Sequence, residues 1–243
     1  MNLRRNAMLR EMGLGPLWKL RRAAEPTPVA PPEASAAPVA AGAGATAESR
    51  GAAIAQMDWP QLQRSVVDCR ACGLCQARQQ TVFGVGDLNP DWLFVGEGPG
   101  AEEDRKGEPF VGQAGKLLDA MLAALDLDRR QKVYIANTVK CRPPGNRTPE
   151  PDEIAACWPY LARQIDLLAP KLIVALGKPA AQTLLAREVK IGAERGKLHA
   201  YRGIPVIVTY HPAYLLRNLT DKAKSWEDLC FARSTLAKMG NLQ

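Results

Sequence analysis

From about residue 57 onward, short apolar runs alternate with helical patterns, and this alternation restricts the fold more than any other feature of the chain. Strand-like runs lie at 92–95, 133–136, 172–176 and 205–208, and helical patterns at 113–125, 152–168, 178–187 and 221–238. In the first helical pattern Leu117, Leu118, Met121, Leu122 and Leu125 recur at the spacing of one helix face. Strands separated by helices pair in parallel, because a parallel pair needs a long crossover connection. The expected fold is therefore α/β, a three-layer α/β/α arrangement around a central, mainly parallel sheet. Ligands of such sheets bind at the carboxyl ends of the strands. The segments 96–104, 137–146, Gly177 and 211–218 all follow strands directly, so function is expected there.

The stretch before residue 57 reads differently. Residues 1–22 form a short amphipathic segment carrying Met8, Leu9, Met12, Leu14, Leu17, Trp18 and Leu20. Residues 23–56 are rich in Ala, Pro, Gly and Ser, a composition that buries too little apolar surface to offset chain entropy, so a disordered linker is expected. Residues 57–243 remain as the folded domain. The formal charge is +7, of which residues 1–56 carry +3 and the remainder +4. A basic balance in both parts suits a polyanionic partner, and it equally suits a solvated basic surface. No apolar run reaches the length of about 18 residues that a membrane span requires, and the basic N-terminus lacks the apolar core of a secretion signal. A monomer in a reducing cytoplasm, making no membrane contact, is expected.

In that compartment the six cysteines are better read as metal ligands or buried thiols than as disulfides. Cys69 and Cys72 form a C-x2-C pair ahead of the first core strand; Cys141 follows the second strand, and Cys157 lies sixteen residues further on. Four thiolates suit tetrahedral zinc or a [4Fe–4S] cluster. Cys75 extends the first pair to C-x2-C-x2-C, but Gln79 and Gln80 stand where a ferredoxin run would continue, so Cys75 reads as a spare thiol. Cys230, in a helical stretch, reads as a buried structural residue, and His199 as a surface residue.

The strand-end loops carry the polar chemistry. Gly96–Asp104 (GEGPGAEED) is a glycine-rich turn without the Gly-Lys-Ser/Thr ending of a Walker A loop. The segment 107–116 (GEPFVGQAGK) enters a helix whose N-terminus favours developing negative charge; its Phe110 either faces the crevice or packs in the core. Asn137, at a strand end, offers one donor and one acceptor to a base edge, or merely caps a turn. The basic loop 141–148 places Arg142 and Arg147 for phosphate and Asn146 for substrate or water. In 211–218 (HPAYLLRN), His211 occupies a strand's carboxyl end, Leu215 and Leu216 are candidates for a wedge into a base stack, and Arg217 for phosphate; the plain alternative is a helix start with buried leucines.

Together GEGPGAEED, GEPFVGQAG, IANTVKCRPPGNR (135–147), the Cys157 spacing and HPAYLLRN resemble the family-four uracil-DNA glycosylases, the iron–sulfur branch of bacteria and archaea, across roughly residues 57–237. The resemblance implies excision of uracil from single- or double-stranded DNA by hydrolysis of the N-glycosidic bond, leaving an abasic site for base excision repair. It implies a [4Fe–4S] cluster on Cys69, Cys72, Cys141 and Cys157, structural or DNA-positioning in role. It implies stacking of flipped uracil on Phe110, reading of its edge by Asn137, exclusion of a 5-methyl group by Glu103 beside Gly98, donation to uracil O2 by His211, and catalytic roles for Glu97 and Asn146. A related branch that captures DNA covalently carries a basic insert and a His in place of Cys141; this chain has neither, so turnover is expected. It also implies a bacterial cytoplasmic enzyme, on the nucleoid when bound to DNA.

Residues 4–22 (RRNAMLREMGLGPLWKLRR) are similar to the N-terminal peptide through which the psi subunit of bacterial DNA polymerase III grips the clamp loader, and the similarity implies that partner. Two rival readings are a zinc-stapled nucleic-acid-binding module and a ferredoxin-like electron carrier on Cys69, Cys72 and Cys75; neither accounts for the HPAYLLRN and GEPFVG loops.

Overall fold

The computed structural model describes residues 47–240. The 4–22 segment and the linker up to residue 46 lie outside the described residues. Six strands, β1 (Val85–Gly86), β2 (Trp92–Gly96), β3 (Val133–Asn137), β4 (Leu172–Leu176), β5 (Leu198–Tyr201) and β6 (Ile204–Thr209), form one sheet in the order β1-β3-β2-β4-β6-β5. The four central strands are mutually parallel. The edge strands β1 and β5 run antiparallel to their neighbours.

The helices are α1 (Ala47–Ala55), α2 (Trp59–Val67), α3 (Ala101–Lys106), α4 (Gln113–Ala123), α5 (Pro151–Leu168), α6 (Lys178–Leu185), α7 (Ile191–Glu194), α8 (Pro212–Leu215) and α9 (Lys222–Gly240). The sheet is covered on both faces. Alternate residues of β2 divide between them: Leu93 and Val95 pack with Leu161 and Ile165 of α5 and Ala180 and Leu184 of α6. Trp92 and Phe94 pack with Leu118 and Leu122 of α4 and Leu229 of α9. This two-sided burial explains why β2, β3 and β4 read as unbroken apolar runs rather than as polar–apolar alternation. Phe94 is fully buried, so Phe94→Ala would cost about 3–5 kcal/mol through lost transfer energy and the cavity left behind.

The linker reading needs one correction. Residues 47–55 are helix, not linker: α1 packs on α5, Ile54 is buried, and Arg50 Nη1 donates to the Ala156 carbonyl at 2.8 Å. Ala-rich composition served helix propensity here, and one buried isoleucine fixed the helix to the domain. The folded unit thus includes residues 47–55 and does not start at residue 57. His199 also departs from expectation: it lies on β5 with its side chain 11% exposed and its Nε2 3.0 Å from the Glu194 carbonyl.

Local chemistry sets the helix ends that frame the site. The Asp58 carboxylate accepts from Gln61 N at 2.8 Å, and the Gln61 side chain accepts from Asp58 N at 3.0 Å, which starts α2 just ahead of the C-x2-C pair. Pro151 opens α5, and Ala169 closes it in the left-handed region, donating to the Ile165 carbonyl. That helix places Cys157 beside the loop after β3. Among the described residues, no helix is long and apolar enough to cross a membrane.

Candidate active site

The carboxyl ends of β2, β3, β4 and β6 open into a cleft of about 1050 Å³. Glu97, Gly98, Glu103, Phe110, Asn137, Asn146, Arg147, His211 and Arg217 all line it. Residues from four separate segments thus converge, three of them at strand ends as expected.

Phe110 is buried to 5% exposure against the second apolar cluster, with its ring 5.5 Å from the His211 ring at an interplanar angle of 30°. The two sequence alternatives for it merge: it packs on the core and lines the cleft. Its φ of 55° lies in the left-handed region, costly for a non-glycine residue. Two features hold it there. A side chain at Gly115 would place its Cβ 1.8 Å from the Phe110 carbonyl oxygen, so that oxygen seats directly on the start of α4. The Arg129 guanidinium donates to the same oxygen at 2.9 Å. Arg129 also pairs with Glu108 at 2.9 Å and Asp119 at 2.8 Å, its side chain 14% exposed. Sequence reading missed Arg129, because it is one of many exposed-looking basic residues and its partners are 10 to 21 positions away in the chain.

Asn137 closes β3 and is 2% exposed. Gly96 on the paired strand permits this: a Cβ there would lie 2.5 Å from Asn137 Oδ1 and 2.6 Å from Phe110 Cζ. Of the buried side-chain oxygens without a partner among the described residues, Asn137 Oδ1 is the one on the cleft wall. A buried acceptor left unpaired costs about 1–3 kcal/mol, so this atom is poised for a donor that arrives with a ligand.

His211 caps α8. The Ala213 amide donates to His211 Nδ1 at 3.1 Å, so Nδ1 is an acceptor and the ring proton of the neutral form sits on Nε2. Burial pulls its pKa down to about 4, the charge of Arg217 adds to the depression, and Glu103 opposes it. The imidazole is therefore a neutral N–H donor through the physiological range. Glu97 moves the other way: burial raises its pKa, partly offset by a hydrogen bond from Thr148.

Glu103 is a loop staple. One carboxylate oxygen accepts from Gly100 N at 3.1 Å; the other accepts from Val111 N at 3.0 Å and Gly112 N at 2.9 Å. It thereby ties the GEGPG turn to the loop that carries Phe110. In the basic loop, Arg142 Nε donates to Asn146 Oδ1 at 2.7 Å, which turns the Asn146 amide nitrogen outward. Arg147 is engaged bidentately by Glu153 at 2.7 and 2.9 Å, so it reaches phosphate only by exchanging that partner. Leu215 needs a correction: it is 1% exposed, on a helix packed against α4, and cannot serve as a wedge. Leu216, 41% exposed, and Arg217 remain available for DNA.

A second site lies beside the first. Cys69, Cys72, Cys141 and Cys157 line one pocket with Val66, Leu74 and Val139; Cys75 is not on its wall, and Cys230 sits on α9. The surroundings are apolar, and burial raises the Cys72 and Cys141 thiols and pushes Cys157 up to about 12. Donors nonetheless aim at the sulfurs: Arg78 at Cys141 (2.9 Å), Arg50 at Cys69 (3.7 Å) and the Lys140 amide at Cys157 (3.3 Å). Buried thiols ringed by cationic donors suit thiolates that a bound metal group keeps ionised. Among the described residues no three His, Cys, Asp or Glu side chains are grouped closely enough to hold a single metal ion. Lys140, buried, donates from Nζ to the Asn137 carbonyl at 2.9 Å and so couples this pocket to the cleft.

Fold and cleft define an α/β protein with its ligand site at the strand ends, and comparison with known proteins names the class: the chain belongs to the uracil DNA glycosylase superfamily, whose model matches residues 83–230. Within it the chain stands with the type-4 enzymes. It is 46% identical to the type-4 uracil-DNA glycosylase of Thermotoga maritima over 72% of this chain and 93% of that protein. It is 45% identical to the type-4 uracil-DNA glycosylase of Archaeoglobus fulgidus over 63% of this chain and 80% of that protein.

Proposed function

We infer that this chain excises uracil from DNA by hydrolysing the N1–C1′ bond, leaving an abasic site for repair. The observation that carries the inference is the unpaired, buried Asn137 Oδ1 in the cleft that Phe110 and His211 also line. Uracil presents an N3–H donor beside an O4 acceptor, and an Asn amide pairs with both. Cytosine presents an acceptor and an amine there, which leaves the Asn137 oxygen unpaired and the two donors opposed, so cytosine is refused.

The base must leave the stack first, at a cost of a few kcal/mol. Leu216, with Arg142, Arg147 and Arg217 on the backbone, offsets part of that cost, and affinity falls with salt. Uracil then slides over Phe110. As the N1–C1′ bond lengthens, negative charge grows on the base and positive charge on the sugar. His211 donates its Nε2 proton as a hydrogen bond to O2 and needs no protonation to do so. The Glu97 carboxylate positions the water that attacks C1′ and takes up its proton; the departing uracil acquires a proton at N1. Asn146, its carbonyl held by Arg142, orients the substrate at the rim. Glu103 acts as a positioning residue for Phe110 and bounds the pocket on the side of the base's C5.

Cys69, Cys72, Cys141 and Cys157 would hold a [4Fe–4S] cluster, which when bound cross-links the turn after α2, the loop after β3 and helix α5. Its role would then be to shape the loop that begins after Asn137, through the Lys140 contact to the Asn137 carbonyl. The 4–22 peptide remains a proposal for docking on the replicative clamp loader, with residues 23–46 as tether.

The test is incubation of the purified chain with oligonucleotides bearing a single uracil, cytosine or thymine, followed by alkali. Strand scission at uracil alone is expected; no scission at uracil overturns the inference.

A further inference from the structure

Much of the cleft lies beyond the uracil pocket. A cavity of about 150 Å³ holds a six-membered ring, whereas this cleft measures about 1050 Å³. Its lining also includes Lys178, Gln182, Tyr210 and Tyr214, none of which has a part in the chemistry above. Tyr210 and Tyr214 lie nearly parallel, ring centroids 5.0 Å apart at 14°. The Tyr214 hydroxyl donates to Asp221 at 2.7 Å, which fixes its ring. Both rings are half-buried and both line the cleft. Lys178 is exposed and has no ion pair among the described residues. It stands at the N-terminus of α6, whose cap, Gly177, offers no side chain to the first turn and whose second residue, Pro179, carries no N–H.

We propose that this part of the lining is a subsite for the nucleotide adjacent to the extruded uridine in a single strand, its base stacked on the Tyr210–Tyr214 pair and its phosphate met by Lys178 and the α6 N-terminus. A flat aromatic surface next to an unpaired cation is the combination that binds a single-stranded nucleotide without reading its identity, and the positive end of the α6 dipole beside Lys178 adds to the attraction for its phosphate. The subsite rests on the uracil-excision reading. It adds that the enzyme engages its substrate as at least a dinucleotide, with the neighbour splayed away from its own stack.

The test crosses a protein change with a substrate change. Uracil excision is measured on single-stranded oligonucleotides whose residue 5′ or 3′ to the uridine is either a normal nucleotide or an abasic tetrahydrofuran. For the unaltered chain, replacing the subsite neighbour by tetrahydrofuran lowers kcat/KM by about tenfold, the size of one aromatic–base stack, chiefly through KM. Tyr210→Leu lowers kcat/KM by a similar factor on the normal strand and leaves activity on the tetrahydrofuran strand unchanged. Lys178→Ala lowers the salt dependence of binding by about one charge on both strands. If Tyr210→Leu lowers activity equally with and without the neighbouring base on both sides, the ring serves the fold or His211 and the subsite does not exist. If the unaltered chain releases no uracil from either strand, the excision reading fails instead, so the two failures are distinct.

Discussion

His211 supplies the sharpest test of how the cleft works. The Ala213 amide occupies its Nδ1, and burial with Arg217 nearby draws its pKa from 6.5 to about 4. At 1.36 kcal/mol per pKa unit, that shift favours the neutral ring by about 3 kcal/mol. Two consequences have definite signs. In catalysis, the Nε2–H donor persists from alkaline solution down to about pH 5, so His211 contributes no inflection near pH 6.5. In stability, the unfolded chain takes up the proton near pH 6.5 and the native one near 4, so the unfolded state holds more protons in between. Stability is full above about pH 6.5 and falls as the pH drops towards 4, by at most about 3 kcal/mol from this group. The chain contains two histidines, so imidazole ¹⁵N NMR across this range resolves His211 directly beside single-turnover rates on a uracil oligonucleotide. His211 should remain in the Nε2–H tautomer until about pH 5. Titration near 6.5, or a ring carrying its proton on Nδ1, would refute the reasoning. Glu97, whose pKa burial raises, should account for acid-side loss of rate; Glu97→Gln should remove that limb together with most of the activity.

Other expectations follow from the contacts. Arg129→Met releases the Phe110 carbonyl and should lower thermal stability by about 1.5–3 kcal/mol, the range for a hydrogen bond to a charged group; it should also lower kcat/KM for excision at least tenfold, and unaltered kinetics would show that Phe110 holds its place without it. Removing residues 1–46 should leave stability and activity on short oligonucleotides intact, whereas removing 1–56 strips α1 and the Arg50–Cys69 contact and should lower the melting temperature; equal melting of both would contradict the packing of α1. Cys141→Ser should reduce bound iron and the visible absorbance of the purified protein, while Cys75→Ser should leave both unchanged; the reverse result would reassign the ligands.

Much of this molecule was legible in its residues, and the exceptions have physical causes. The four parallel strands are buried on both faces, so each advertises itself as an apolar run, and the helices between them carry a one-sided stripe. The edge strands do not. β1 has two residues, and β5, with alternating exposure, turns into β6 through Arg202 and Gly203, both at positive φ; Arg-Gly is a weak hairpin signal beside Asn-Gly. Asn137 and His211 were recognisable as candidates because strand ends are where such sheets bind ligands, whereas Phe110 and Glu97 were singled out through the family resemblance. Arg129, Lys140 and Tyr210 were not, since each acts through a carbonyl or a ring that only the tertiary fold brings near. Leu215 and Leu216 looked alike in sequence, and a rotation of one residue on a short helix buries the first and exposes the second. Alanine-rich composition concealed α1 for the opposite reason: it suits a linker and a helix equally, and the buried contact of Ile54 decides between them.

The central claim is that the lone carbonyl oxygen of Asn137 waits for the N3–H of an extruded uracil. Product inhibition tests it most directly, with free uracil compared against 3-methyluracil, which keeps the ring and both carbonyls but has no N3–H. Uracil should inhibit excision, and 3-methyluracil should be at least about fivefold weaker, because an unpaired buried acceptor costs about 1–3 kcal/mol. Equal inhibition by the two would mean that Asn137 does not read that edge.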